Sequence, residues 1–189
     1  MKKSEFVLLE ALRGAGTQKQ IAQKLEISLS TVNSALRPLA EMGAIEIRKF
    51  GFRVVDAEKA LLHLAGMRRL GKDIVYRTRH DGNMAKIEAL MPSGAVFTAY
   101  SAYRLRYREA PADYSEVYVY ADEGSLAEII RRFPQKGGPA NVVVLKKDGP
   151  VGERLVNDWL LFADLWNLKE WYAREFLGAL RRRMGLVVQ

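Results

Sequence analysis

The chain of 189 residues carries 30 Lys and Arg against 22 Asp and Glu, a formal net charge of +8, with 49% hydrophobic residues and no cysteine. This composition excludes a disulfide framework, a thiolate metal site and a disordered polyelectrolyte, because the apolar content is ample for folded cores. The length fits one domain or two small ones, no apolar run reaches membrane-spanning length, and the basic balance suits a polyanion whose phosphates Lys and Arg would neutralise.

Met1-Lys2-Lys3 leads straight into an amphipathic helical pattern where a signal peptide would carry an apolar run, so a cytoplasmic protein without membrane contact is expected. Thr17 and Gln20 form a capping box that predicts a helix from Gln18, with Ile21, Ala22 and Leu25 turned inward. Glu26-Ile27-Ser28 breaks the period. Ser28 is a good N-cap for a second helix that buries Val32, Ala35, Leu36, Leu39 and Ala40 and stops at Gly43. Its opposite face presents Ser30, Thr31, Asn33, Ser34 and Arg37, whose hydroxyls, amide and guanidinium suit base edges and phosphates in a major groove. Pro38 removes an interior hydrogen bond and should kink or tighten this helix after Ser34.

Residues 45–48 and 52–55 alternate as two strands around Lys49-Phe50-Gly51, which makes a hairpin with a basic tip. Helix, turn, helix and basic hairpin follow in the order of a winged helix-turn-helix, and that order predicts binding to double-stranded DNA. The expected DNA contacts are Ser28, Ser30, Thr31, Asn33, Ser34 and Arg37 on the helix with Arg48, Lys49 and Arg53 on the wing. Charge concentrates there, with nine Lys and Arg against five Asp and Glu in residues 1–55. The alternative is a docking module, since winged helices also serve as protein adaptors and a Ser/Thr face can be plain solvated surface.

Asp56 should cap a connector helix over 57–70, ended by Gly71, so the domains divide as 1–55, a connector at 56–72, and 73–189. Arg68, Arg69, Lys72, Arg77 and Arg79 cluster at that junction, as an extension of a phosphate-binding surface or as a solvated face. Beyond it the patterns predict a strand at 74–79, a turn at His80-Asp81-Gly82-Asn83, and helices at 85–91 and 98–107. A strand at 115–121, a helix capped by Ser125 through 132, a strand at 141–147 and helices at 153–168 and 169–184 complete the reading. This is an α+β domain. Trp159, Phe162, Trp166, Trp171 and Phe176 read as core, while Tyr100, Tyr103 and Tyr107 beside Arg104, Arg106 and Arg108 read either as a buried edge or as a basic-aromatic surface. His63 and His80 make no zinc site, and no serine stands in a nucleophile-elbow sequence.

The elements "FTAYSAYRLRYREAP", "SEVYVYADEGSLAEIIRRF", "NVVVLKKDG" and "VNDWLLFADLWNLKEWYAREFLGALRRR", with the winged helix in front, resemble the AbiEi-type antitoxin family of type IV toxin-antitoxin systems. The resemblance implies a transcription regulator, commonly an autorepressor of its own operon, with a C-terminal domain similar in fold to nucleotidyltransferases. It further implies functional pairing with a nucleotidyltransferase toxin, and a homodimer is compatible with it. Active nucleotidyltransferases place a glycine turn before a helix and two carboxylates one residue apart on the next strand. This chain has Phe97-Thr98-Ala99-Tyr100 and Glu116-Val117-Tyr118 at those places, so a degenerate domain without catalysis, cofactor or metal is expected. The rival reading is an active nucleotidyltransferase that uses the winged helix to hold its substrate.

Overall fold

The computed structural model describes residues 1–186; the last three residues of the expected second domain lie outside the described residues. The chain divides into two compact units, Met1–Arg68 and Arg69–Gln189.

In the first unit α1 (Lys3–Leu12) is followed by α2 (Gln18–Leu25), α3 (Leu29–Glu41), the strands β1 (Ile45–Arg48) and β2 (Gly51–Val54), and α4 (Ala57–Met67). The local signals act as the sequence predicts. Thr17 Oγ1 accepts from the Gln20 amide at 3.1 Å while Gln20 Oε1 accepts from the Thr17 amide at 3.1 Å, which starts α2 at Gln18. Ser28 Oγ accepts from the Thr31 amide at 3.1 Å and starts α3. Helix α3 runs unbroken through Pro38 to Glu41, so the expected break in its hydrogen bonding does not end it. Val32, Ala35, Leu36 and Leu39 lie buried on both sides of Pro38, and their packing offsets the missing bond.

Two expectations do not hold. Helix α1, expected to be amphipathic, has no solvent face over most of its length, because every residue from Glu5 to Leu12 is buried and α2, α3 and α4 all pack on it. Residues 56–72 are not a free connector: α4 buries Ala60, Leu61, Leu64 and Ala65 against α1 and α3, ends at Met67, and gives way to a 3-10 turn at Leu70–Asp73. The buried acids of α1 are paired. Glu10 holds Arg13 and Lys24 at 2.6 Å each, tying α1 to α2, and Glu5 holds Arg68 at 3.3 Å. Arg68 is therefore buried and paired, and belongs to no surface cluster.

The second unit contains a four-stranded sheet in the order β3-β6-β5-β4, from β3 (Ile74–Thr78), β4 (Val96–Thr98), β5 (Val117–Ala121) and β6 (Val142–Lys146). Strands β5 and β6 are parallel, with α7 (Glu123–Arg132) between them in sequence, while β3 and β4 close the edges antiparallel. All of β5 is buried, and α5 (Met84–Leu90), α6 (Ala99–Tyr107) and α7 pack on it. Strands covered on both faces read as continuous apolar runs, which is why "VYVYA" and "VVVLK" stand out in the sequence. The mixed α+β class is as expected.

Its details differ in four places. The edge strand β4 takes Val96 and Phe97, which the patterns leave unassigned, and Thr98, the first residue of the predicted helix at 98–107, because three residues carry no periodicity. Asp122 caps α7, accepting from the Ser125 amide at 2.8 Å, so Ser125 is the donor and not the cap. Helix α8 (Asp158–Trp166) starts after residue 157, since the stretch before it pairs with the sheet edge: Phe97 donates to the Arg154 carbonyl at 2.9 Å and Val156 to the Phe97 carbonyl at 3.0 Å. Helix α9 (Trp171–Arg183) follows, and Trp171 at its start is 69% exposed and Trp166 46%, whereas Phe162 and Phe176 are core.

Candidate nucleic-acid interface

Helix α3 separates its residues by periodicity. Ser30, Asn33, Ser34 and Arg37 stand at i, i+3, i+4 and i+7, opposite Val32, Leu36 and Leu39, so burying the apolar stripe leaves the polar one outward. All four are exposed and, with Leu29, line one shallow cleft of about 350 Å³. The Arg37 guanidinium is 3.8 Å from Glu41, an exposed pair one helical turn apart that holds it loosely. Ser28 and Thr31 differ from these four. Their hydroxyls lie 2.8 Å apart and Ser28 Oγ caps the helix, so both are engaged within α3.

The wing is anchored by its glycine. Gly51 lies at φ 140°, and a Cβ there would stand 2.0 Å from the Gly16 carbonyl oxygen, while the Phe52 amide donates to that same oxygen at 3.0 Å. Only glycine allows this approach, which fixes the hairpin against the loop preceding α2. Arg48, Lys49 and Arg53 are all exposed on it. Both arginines reach one carboxylate: Glu46 Oε2 is 3.1 Å from Arg48 and 3.3 Å from Arg53. Hydrogen bonding from Arg48, with smaller contributions from Arg53, holds the Glu46 carboxyl below its ordinary range.

Glu46 and the 81% exposed Phe50, with Lys49 5.2 Å from its ring centre, are the features of this surface that the sequence reading passed over. The register held the signal for the first, since Glu46 pairs directly with Arg53 and is two residues from Arg48 on the same face. We expect Glu46→Gln to strengthen binding to duplex DNA of any sequence, and Arg48→Ala, Lys49→Ala or Arg53→Ala to weaken it. Each loss should lower the slope of log affinity against log salt by about one. Titrations at several salt concentrations check both, and unchanged slopes would place the wing away from phosphate.

In the second unit, Glu116 and Tyr118, which the sequence comparison set beside a pair of metal-binding carboxylates, have partners within the fold. Glu116 lies one residue before β5, accepts a hydrogen bond from the Tyr172 hydroxyl, and is raised above its ordinary value by burial. Tyr118 is buried edge-to-face against Tyr100 at 6.1 Å. The fully buried Asp164 accepts from Thr98 Oγ1 at 2.7 Å and from the Tyr120 hydroxyl at 2.8 Å, a network without a sequence signal beyond an acid in an apolar helix. Tyr100 and Tyr103 are core, Arg104 pairs with Glu88 and Arg106 with Asp158, so the basic-aromatic surface reading gives way to the buried-edge reading. Among the described residues, no three His, Asp or Glu side chains gather as a metal site requires, and no helix is long and apolar enough to cross a membrane.

A capped helix pair, a third helix beneath it and an anchored basic hairpin define a winged helix-turn-helix, a class of DNA-binding domain. Residues 17–46 match the family model described as winged helix-turn-helix DNA-binding, so the N-terminal unit contains a DNA-binding domain of this kind. Comparison of the chain with curated proteins gives no match.

Proposed function

We propose that the protein is a sequence-specific transcription regulator, an antitoxin-type repressor of its own operon, whose second unit is a non-catalytic relative of nucleotidyltransferases. The observation that carries specific recognition is the α3 face, where Ser30, Asn33, Ser34 and Arg37 line one exposed cleft in a segment matched as a DNA-binding domain. An amide and a guanidinium on one outward helix face are the groups that make bidentate contacts with adenine and guanine. The test is competition: the protein should retain duplex carrying its own promoter against an excess of random duplex. Equal displacement by both would leave only phosphate binding.

Support for a degenerate nucleotidyltransferase unit comes from the β4–α6 corner. Ala99 adopts φ 51° there, a left-handed conformation that a glycine turn would supply without strain, and it carries a Cβ where phosphate would need close access to backbone amides. Glu116 has Tyr118, not a second carboxylate, two residues on. We expect no transfer of label from nucleoside triphosphates to RNA or protein with magnesium or manganese, and unchanged promoter binding in Glu116→Ala. Labelling that Glu116→Ala abolishes would make the protein an enzyme.

A further inference from the structure

A cleft of about 400 Å³ in the second unit lies between the end of β3, the start of α5 and the loop after α7, and no part of the regulatory reading uses it. Arg79, Lys86 and Lys136 line it from those three places, together with His80 and Phe133, and Asp81 is the single carboxylate among them.

The walls are fixed by hydrogen bonds. Asn141 clamps the His80 peptide, accepting from its amide and donating to its carbonyl at 2.8 Å each. Thr78 Oγ1 donates to the Pro134 carbonyl and accepts from the Lys136 amide, both at 2.9 Å, which pins the loop to β3. The imidazole stands edge-on to Phe133, with centroids 5.3 Å apart. Its Nδ1 accepts from the Gly82 amide at 2.9 Å, so in the neutral ring the proton is on Nε2, which becomes a donor. Gly82 makes room for this arrangement: a Cβ there would meet the His80 ring at 2.8 Å and the Lys86 stem at 3.0 Å.

We infer that this cleft binds a phosphomonoester dianion. Its lining offers an imidazole N–H and three cations to one carboxylate, a surplus of two positive charges around a preformed hollow. Asp81 bridges Lys136 and Arg79, but these are exposed pairs of small worth, so an entering phosphate can take over either cation. Lys86 has no ion pair among the described residues. Inorganic phosphate, a small phosphorylated molecule and a phosphorylated strand end share this chemistry.

The chain has two histidines, and His63 lies in the other unit, which makes it an internal reference for imidazole NMR on the full-length protein. Titrating inorganic phosphate should shift the His80 ring signals saturably and leave those of His63 in place. Lys86→Ala and Lys136→Ala should each weaken this by about tenfold, the usual worth of a charge-assisted hydrogen bond, and Gly82→Ala should abolish it. A 5′-phosphorylated oligonucleotide that displaces phosphate from His80, while the same strand without its phosphate does not, identifies a strand end as the source. If only inorganic phosphate and small monoesters compete, the ligand is a small molecule. Absence of saturation, an equal shift from chloride at matched ionic strength, equal competition by the unphosphorylated strand, or indifference to both lysine substitutions would overturn the assignment.

Discussion

Replacing Arg68 by alanine is expected to destabilise the N-terminal unit by about 3–5 kcal/mol, the cost of leaving one partner of a buried ion pair uncompensated. The side chains of Arg68 and Glu5 are 1% and 2% exposed and 3.3 Å apart, and they join the residue after α4 to the first turn of α1. Truncation takes the guanidinium away from a carboxylate whose side chain is only 2% exposed, so water has little access to replace it. Since a domain is stable by only about 5–15 kcal/mol in total, such a loss brings the unit close to unfolding. The measurement has an internal control: Trp159, Trp166 and Trp171 all lie in the second unit, so tryptophan fluorescence follows that unit alone. Hydrogen exchange in residues 1–68 of the full-length protein should accelerate in Arg68→Ala while the tryptophan transition in urea stays in place. Exchange like that of the wild type would mean that the pair contributes nothing. Replacing both partners with apolar residues of similar volume should recover much of the stability, because the desolvated charge is then gone.

Arg37→Ala and Asn33→Ala should each reduce promoter affinity by about tenfold or more, corresponding to about 1–3 kcal/mol per base contact, and flatten the preference over random duplex. Both side chains are exposed on the outward face of α3, and neither is needed for the packing of Val32, Leu36 and Leu39 behind it, so folding should be unaffected. Ser28→Ala provides the contrast. Its hydroxyl caps α3, so its loss should lower stability by about 0.5–2 kcal/mol and act on DNA binding only through the helix end. Competition binding separates the two effects. If Asn33→Ala and Arg37→Ala lowered affinity for promoter and random duplex alike, α3 would be contacting phosphates and the source of specificity would lie elsewhere.

The winged helix was legible in the chain because its signals act over a few residues. Thr17 and Gln20, Ser28, and the alternation on either side of Lys49-Phe50 each need only their own neighbours to set a helix start or a strand, and each acts as read. The same holds for β5 and β6, whose apolar runs declare burial on two faces. Burial and partnership over long separations had no such signal. Glu5 finds Arg68 only when α4 folds back along α1, and that packing makes a helix with the look of a connector part of the first unit. Residues 153–156 fall within a predicted helix, yet the edge of β4 not paired with β5 offers the backbone of Arg154 and Val156 partners that no helix pattern can register. Trp171 reads as core by its large apolar ring and lies on the surface, because it stands five residues before Phe176, off the face of α9 that buries Tyr172, Ala173, Phe176 and Leu180. The cleft around His80 is of the same kind, assembled from residues between positions 79 and 136 that only the β3–β6 pairing and the fold of α5 and α7 bring together.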